Sequence, residues 1–274
     1  MNHTAEKLLT FIKESPTAFQ AVEMMKTRFT ENGFTELKED EHWEIKNGGK
    51  YFVIRNHSAI IAFTVPEVSS DVFHIIASHS DSPMFKIKEN PEMEAEGHYV
   101  KLNVEKYGGM LCAPWFDRPL SVAGRLVVKE GNQIVTKLVD VKKRLVMIPS
   151  LAIHMNRDAN NGVKFNPQKD LLPLYGDETA KGTFMARIAE LADVTENDIL
   201  AHDLYVYSPD ARKCLGCFGR YISCGRLDDL QCAFSSLEGF LHAKDGESIS
   251  AALRLRQRRS RKFQQAGSRV YSAV

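Results

Sequence analysis

The residues with the clearest capacity for chemistry lie in Ala77-Ser78-His79-Ser80-Asp81-Ser82-Pro83, at the end of the apolar run Val72–Ser78. In an open α/β sheet, ligands gather at the carboxyl ends of strands. A histidine there can turn one imidazole nitrogen toward a metal ion, and a carboxylate two residues on can fix the ring from its other side. His-x-Asp alone is equally the pattern of a hydrogen-bonded loop histidine. The second candidate is Gly225-Arg226-Leu227-Asp228-Asp229-Leu230, opening the stretch Leu227–Ala243 whose apolar residues recur at helical spacing. Acids at a helix start act as caps and complement the macrodipole, and an Asp pair could also bridge metal ions. On the residues alone both readings stay open.

The elements that must position these groups follow from the period of the apolar residues. Ala5–Ile12 places Leu8, Leu9, Phe11 and Ile12 on one helical side, and Ser15-Pro16 stops it. A second helix from about Pro16 to Asn32 buries Phe19, Val22, Met25 and Phe29 and ends at Gly33. The period then falls to two. Trp43–Lys46, the turn Asn47-Gly48-Gly49 and Lys50–Arg55 read as a hairpin. Ser58–Val65 and Val72–Ser78 read as strands buried on both faces. From about Lys88 to Arg144 short strands alternate with turns, as in an antiparallel module: Tyr99–Val104, Leu120–Val128, the Gly131-Asn132 turn and Ile134–Leu138. Pro149–Tyr175 is loop-rich, Lys181–Leu191 predicts a helix and Ile199–Tyr207 a strand. The pattern is an α/β domain interrupted by a β-rich insertion.

Composition narrows the functional classes. The 274 residues are 43% hydrophobic and 26% charged, which suits a globular protein with an ample core. No apolar run is long enough to cross a bilayer, and the amphipathic N-terminus is not a secretory signal, so the sequence predicts a cytoplasmic protein. Five cysteines, Cys112, Cys214, Cys217, Cys224 and Cys232, read as buried or partly buried free thiols. Cys214-x-x-Cys217 could also be half a zinc knuckle or a redox pair. The net charge of +1 conceals seven basic residues from Leu253 onward, leaving 29 basic against 35 acidic residues before them. An acidic body argues against nucleic acid as a partner, whereas the tail by itself would read as a nucleic-acid binder.

Taken in order, Ala77–Pro83, Tyr107-Gly108-Gly109, Trp115-Phe116-Asp117-Arg118-Pro119-Leu120-Ser121-Val122-Ala123-Gly124-Arg125, His154-Met155-Asn156-Arg157 and Gly225–Leu230 resemble the blocks of the aspartyl aminopeptidase (aminopeptidase I) family. The block from Trp115 to Arg125 is highly specific to that family, and the resemblance runs from the first helix to about Ser250. It implies a cytoplasmic zinc aminopeptidase that releases N-terminal, preferably acidic, residues from peptides with two Zn2+ ions per active site. The implied fold is a mixed-sheet α/β exopeptidase domain, residues 1–88 and 219–250, interrupted by a β-rich dimerisation insert, residues 89–218. The implied metal ligands are His79, terminal on one ion, and Asp228, bridging both. The implied catalytic residues are Asp81, which supports His79, and His154, which projects toward a neighbouring subunit's site. Implied partners are peptide substrates and further copies of the chain, as dimers and higher oligomers, with no membrane or nucleic acid.

One departure bears on activity. The family continues with Phe-Asp-Asn-Glu-Glu-Val-Gly-Ser, which carries the general-base Glu and a ligand Glu, whereas residues 248–274 contain no Asp or Glu. With suitable synonymous codons, Leu255–Val270 read one base out of frame gives that segment, followed by Ser-Asn-Lys-Gln-Gly-Ala-Gly. The sequence therefore predicts a change of frame between the codons for Ser248 and Leu255, an incomplete catalytic domain and a tail, 251–274, that is out of frame and disordered or loosely helical. The rival readings are an inactive polypeptide that only assembles, a basic-tail nucleic-acid binder, and another dinuclear zinc peptidase, which would lack the Trp-Phe-Asp-Arg block.

Overall fold

The computed structural model describes residues 3–68, 70–209, 213–243 and 248–255. The chain divides into two units: residues up to Gln20 with Pro83–Gly225, and Ala21–Ser82 with the residues from Arg226 onward. The expected cuts at 88/89 and 218/219 thus fall instead at 82/83 and 225/226, and the first helix groups with the β-rich unit.

Helix α1 (His3–Glu14) buries Leu8, Leu9, Phe11 and Ile12, the side the spacing predicts. Helix α2 (Ala18–Glu31) ends before Gly33, whose φ of 80° only glycine adopts readily. The sheet of the second unit takes β1 (Thr35–Leu37), β2 (Lys50–Arg55), β3 (Ala59–Thr64) and β4 (Phe73–His79). The hairpin differs from the sequence reading. Residues 43–46 are not a strand, and β2 instead turns through Asn56-His57 to pair antiparallel with β3, from Lys50↔Thr64 to Arg55↔Ala59. The Asn47-Gly48-Gly49 signal still marks a turn, with Gly49 N–H donating to Lys46 C=O at 3.0 Å, but the residues before it are exposed and have no sheet to join.

The β-rich unit begins with β5 (Met84–Ala95), β6 (Tyr99–Tyr107), β7 (Pro119–Glu130), β8 (Gln133–Asp140), β9 (Val146–Met147) and β10 (Leu174–Asp177). Helix α3 (Phe184–Ala192) and β11 (Ile199–Tyr207) follow, then the small hairpin β12 (Lys213–Leu215) and β13 (Tyr221–Ser223). Strand order β11-β5-β6-β10-β9-β7-β8, with β11 also on β7, closes the antiparallel pairings into a ring. Closure gives β5, β6, β7 and β11 a partner on each side for part of their length, β5 meeting β11 at Phe85 and Lys86. Phe85, Ile87, Leu102, Leu120, Leu126, Phe184 and Leu204 fill its core. The Trp115–Arg125 block has structural work in this unit. Asp117 stands at the turn into β7 and accepts hydrogen bonds from the Ser150 N–H at 2.9 Å and the Ser150 hydroxyl, which hold its carboxyl below the usual range. At Gly124 a side chain is excluded, because a β-carbon would come 2.0 Å from the Asp203 carbonyl of β11.

The second unit is completed by α4 (Leu227–Leu241) and β14 (Ile249–Leu255). Its sheet runs β1-β2-β3-β14-β4, with β14 antiparallel to β3 and parallel to β4. This is the mixed sheet that the sequence implies. Phe29 anchors one core, its ring 5.1 Å from Phe34, 6.0 Å from Phe52 and 6.1 Å from Phe240. Each such ring taken from water contributes about 1.5–3 kcal/mol. Two expectations change. Residues 251–255 belong to the sheet rather than to the tail; their Ala-Ala-Leu run supplies apolar side chains on a strand between two others. Residues 256–274, the rest of that tail, lie outside the described residues. And β4 is not covered on both faces: among the described residues it is an edge strand, with Phe73 54%, Ile75 49% and Ile76 43% exposed.

Candidate metal centre

The carboxyl end of β4 and the start of α4 meet in the second unit. Parallel pairing with β14 continues to the last residue of β4, with Leu255 opposite His79. At the other side Arg226 takes φ 61°, and Asp228 and Asp229 keep non-helical backbone before the regular helix begins. That break turns both acids toward the strand end rather than along the helix. Two hydrogen bonds fasten the junction. The His79 N–H donates to Asp229 Oδ2 at 3.1 Å, and the Ser82 hydroxyl donates to the Asp228 carbonyl at 2.9 Å.

His79 Nε2 lies 3.3 Å from Asp228 Oδ1 and 3.8 Å from Asp229 Oδ2. On the other ring edge, Nδ1 is 3.0 Å from the Asp81 carbonyl and 3.2 Å from its Oδ1. The carbonyl can only accept, so Nδ1 carries a hydrogen and Nε2 is the ring nitrogen left to face a metal. Asp81 is buried and His79 partly so, whereas the Asp228 side chain is 69% exposed and that of Asp229 16%.

This donor set fits a zinc ion in kind. An imidazole nitrogen oriented through its other nitrogen by a carboxylate is the usual arrangement of a metal-bound histidine. An Nε2–Oδ1 separation of 3.3 Å is also the ligand-to-ligand edge of a tetrahedron with bonds of about 2.0–2.1 Å. It does not fit in number: no group of three or more His, Cys, Asp or Glu placed to hold a metal occurs among the described residues. Catalytic zinc commonly takes three protein ligands.

Of the four residues singled out from sequence, the fold brings His79, Asp81 and Asp228 together. His154 lies in the other unit, on an exposed turn closed by the Met155 N–H donating to Ala152 C=O at 2.8 Å. Sequence reasoning treated Asp229 only as half of an Asp pair and gave no role to Ser82. Their only signal was adjacency to Asp228 and His79, since a helix start does not reveal which of two acids will face a strand end.

Residues 11–256 match the family described as Aminopeptidase I zinc metalloprotease (M18). The chain belongs to that family. Among curated M18 relatives, the "Probable M18 family aminopeptidase 2" of Clostridium acetobutylicum is 46% identical over 255 residues, which are 90% of this chain and 59% of the relative. The protein of the same name in Pseudomonas entomophila is 35% identical over 249 residues, 88% of this chain and 58% of the relative. The chain thus spans about 59% of the length of the curated relatives it matches. Two solved M18-like structures superpose closely. Ape4 in its complex with Nbr1 gives a TM-score of 0.88 at 28% identity, covering 92% of this chain and 54% of that one. Chaetomium thermophilum mApe1 gives 0.87 at 26% identity, covering 98% and 67%. The S. cerevesiae mApe1 dodecamer shares the fold, with a TM-score of 0.81 at 22% identity, covering 98% and 65%. The Trp-Phe-Asp-Arg block that separated this family from other zinc peptidases therefore read correctly.

Proposed function

We propose that this polypeptide is the metal-anchoring part of a zinc aminopeptidase that releases N-terminal residues, acidic ones preferred, from peptides in the cytoplasm. The observation that carries the reading is the pairing of His79 Nε2 with Asp228 Oδ1 at 3.3 Å, with Asp81 holding the far side of the ring. His79 and Asp228 would hold zinc, His79 as a terminal ligand and Asp228, the more exposed acid, as the bridge of a two-ion site. When bound, such ions polarise the scissile carbonyl and supply a hydroxide nucleophile. Asp81 keeps the hydrogen on Nδ1, so Nε2 is the ring atom turned to the metal side. Asp229 fixes the strand end through the His79 N–H. The β-rich unit serves self-association into dimers and larger particles and carries His154 toward a neighbouring subunit. The exposed Leu151, Ile153 and Met155 around it suit such a role.

A general base is needed to take the proton of the attacking water, and residues 248–274 offer no carboxylate for it. The register that sets Leu255 beside His79 supports the proposed change of frame: read one base over, Phe-Asp-Asn-Glu-Glu begins at the Leu255 codon, at the same sheet end as His79. The test is zinc content and turnover of an aspartyl-peptide substrate, in the chain as written and after one-base repair before that codon. We expect less than one zinc and no turnover as written, with both restored by repair. Turnover by the unrepaired chain, free of host aminopeptidase, would overturn the assignment. Zinc and turnover still missing after repair would favour a polypeptide that only assembles.

A further inference from the structure

The hairpin β12–β13 carries chemistry that the metal centre does not use. Cys214 lies on β12 opposite Ile222, with Leu215 opposite Tyr221. Between the strands the chain bends at Gly216 (φ 86°) and Gly219 (φ 63°), and the Gly219 N–H donates to the Gly216 carbonyl at 3.0 Å. That turn folds back over Cys214: a β-carbon on Gly219 would stand 3.9 Å from the β-carbon of Cys214. Cys217 sits inside the turn and is exposed, Cys214 is partly exposed, and both are free thiols. Three Cα–Cα steps of chain cannot separate their α-carbons by more than about 11 Å even when extended. The chain between them bends at Gly216, and the ~4.4–6.8 Å that a disulfide requires lies within that reach. Arg220 stands in the same turn, its guanidinium 5.3 Å from the centre of the Phe218 ring.

We propose that Cys214 and Cys217 form a thiol–disulfide exchange site for anionic, low-molecular-weight disulfides of the glutathione type. The Arg220 guanidinium draws the anionic disulfide in, and the exposed thiol reacts first. The Cys217 thiolate attacks one sulfur of oxidised glutathione, forming a mixed disulfide and expelling one glutathione thiolate. The Cys214 thiolate then attacks the Cys217 sulfur, closing the protein disulfide and expelling the second. Two protein S–H bonds and one glutathione S–S bond are lost, and one protein S–S bond is made. The two protons pass to the departing thiolates, which leave as two reduced glutathiones. Gly216 and Gly219 give the turn the freedom to close.

Trypsin makes the test direct, because cleavage after Lys213 and Arg220 releases Cys214–Arg220 with both thiols and no other cysteine. The full chain is equilibrated with oxidised and reduced glutathione, quenched by alkylation, digested and weighed. Excess oxidised glutathione should convert most of this peptide to an unalkylated form lighter by two hydrogens, and reduced glutathione should reverse it. Cys217→Ser should abolish that form, while Cys224→Ser should leave it unchanged with the same far-ultraviolet circular dichroism. A peptide that stays fully alkylated, carries only bound glutathione, or appears only in cross-linked dimers would overturn the proposal.

Discussion

At the scale of single residues, the centre rests on one imidazole held from two sides. Asp81 lies on Nδ1 and Asp228 faces Nε2; in the proposed centre the first orients the ring and the second binds metal. Asp81 touches no metal in this arrangement, so its effect must pass through the ring. In the frame-repaired chain, Asp81→Ala should weaken zinc binding about 10–100-fold, read by competition with a chromophoric chelator. His79→Ala should abolish binding at that position. Asp81→Asn, whose side-chain oxygen can still accept from Nδ1, should recover part of the loss. Equal affinity in Asp81→Ala and the parent would show that the ring is oriented by the backbone carbonyl alone.

At the scale of elements, two strands make opposite predictions about solution behaviour. Strand β4 is a neutral, β-branched run without proline, with Phe73, Ile75 and Ile76 about half exposed. Such an edge templates pairing with other chains. Ile75→Lys should therefore slow aggregation of the chain as written, followed by light scattering, with unchanged circular dichroism; an unchanged rate would place the sticky surface elsewhere. Strand β11 carries His202, whose partial burial holds its basicity below the ordinary histidine value, with Lys86 acting the same way and Glu89 and Asp203 acting against it. The folded group thus resists a proton that the unfolded chain takes up near pH ~6.5. Stability is then lost as pH falls through that value and levels off below the folded group's own titration. His202→Gln should flatten this limb of a plot of thermal midpoint against pH between 7.5 and 5 (roughly the window of histidine titration). Asp203 adds a second, more acidic limb. Burial raises its carboxyl, but the hydrogen bonds and charges of Lys86 and Arg125 together outweigh this and lower it. Its contribution is lost only as pH falls through its depressed value.

At the scale of the whole molecule, the chain joins a closed β unit to a sheet with an open edge. The β unit satisfies its own strands, since β11 returns to both β5 and β7. The other sheet stops, among the described residues, at β4. The family match ends at residue 256, one position beyond the last residue of β14. The family match therefore ends where the shifted frame begins to read as the family segment. One-base repair should accordingly change zinc content, turnover and aggregation together, whereas charge-neutralising substitutions in the Arg-rich segment should change only solubility and salt dependence.

The sequence by itself determined the family, the order of most elements and three of the residues that meet at the centre. Its blocks are local, and helical or alternating periodicity is local too, so α1, α2, β7, β8, β11 and α4 could be read from residues within each segment. It misread what depends on distant partners. The glycine turn at 47–49 looked like a hairpin because a turn signal does not say which flanking segment has a strand to join; β2 found β3 instead. The run Val72–Ser78 looked buried on both faces because its composition suits a central strand, but cover comes from neighbouring strands and helices, and only the fold shows that β4 is an edge among the described residues. The insertion of β14 between β3 and β4, with Leu255 beside His79, likewise depends on a pairing across more than 170 residues. Only the tertiary structure could bring Asp228 to His79 across the whole β-rich unit, because no local preference encodes a contact whose two halves are fixed by separate strands and a helix.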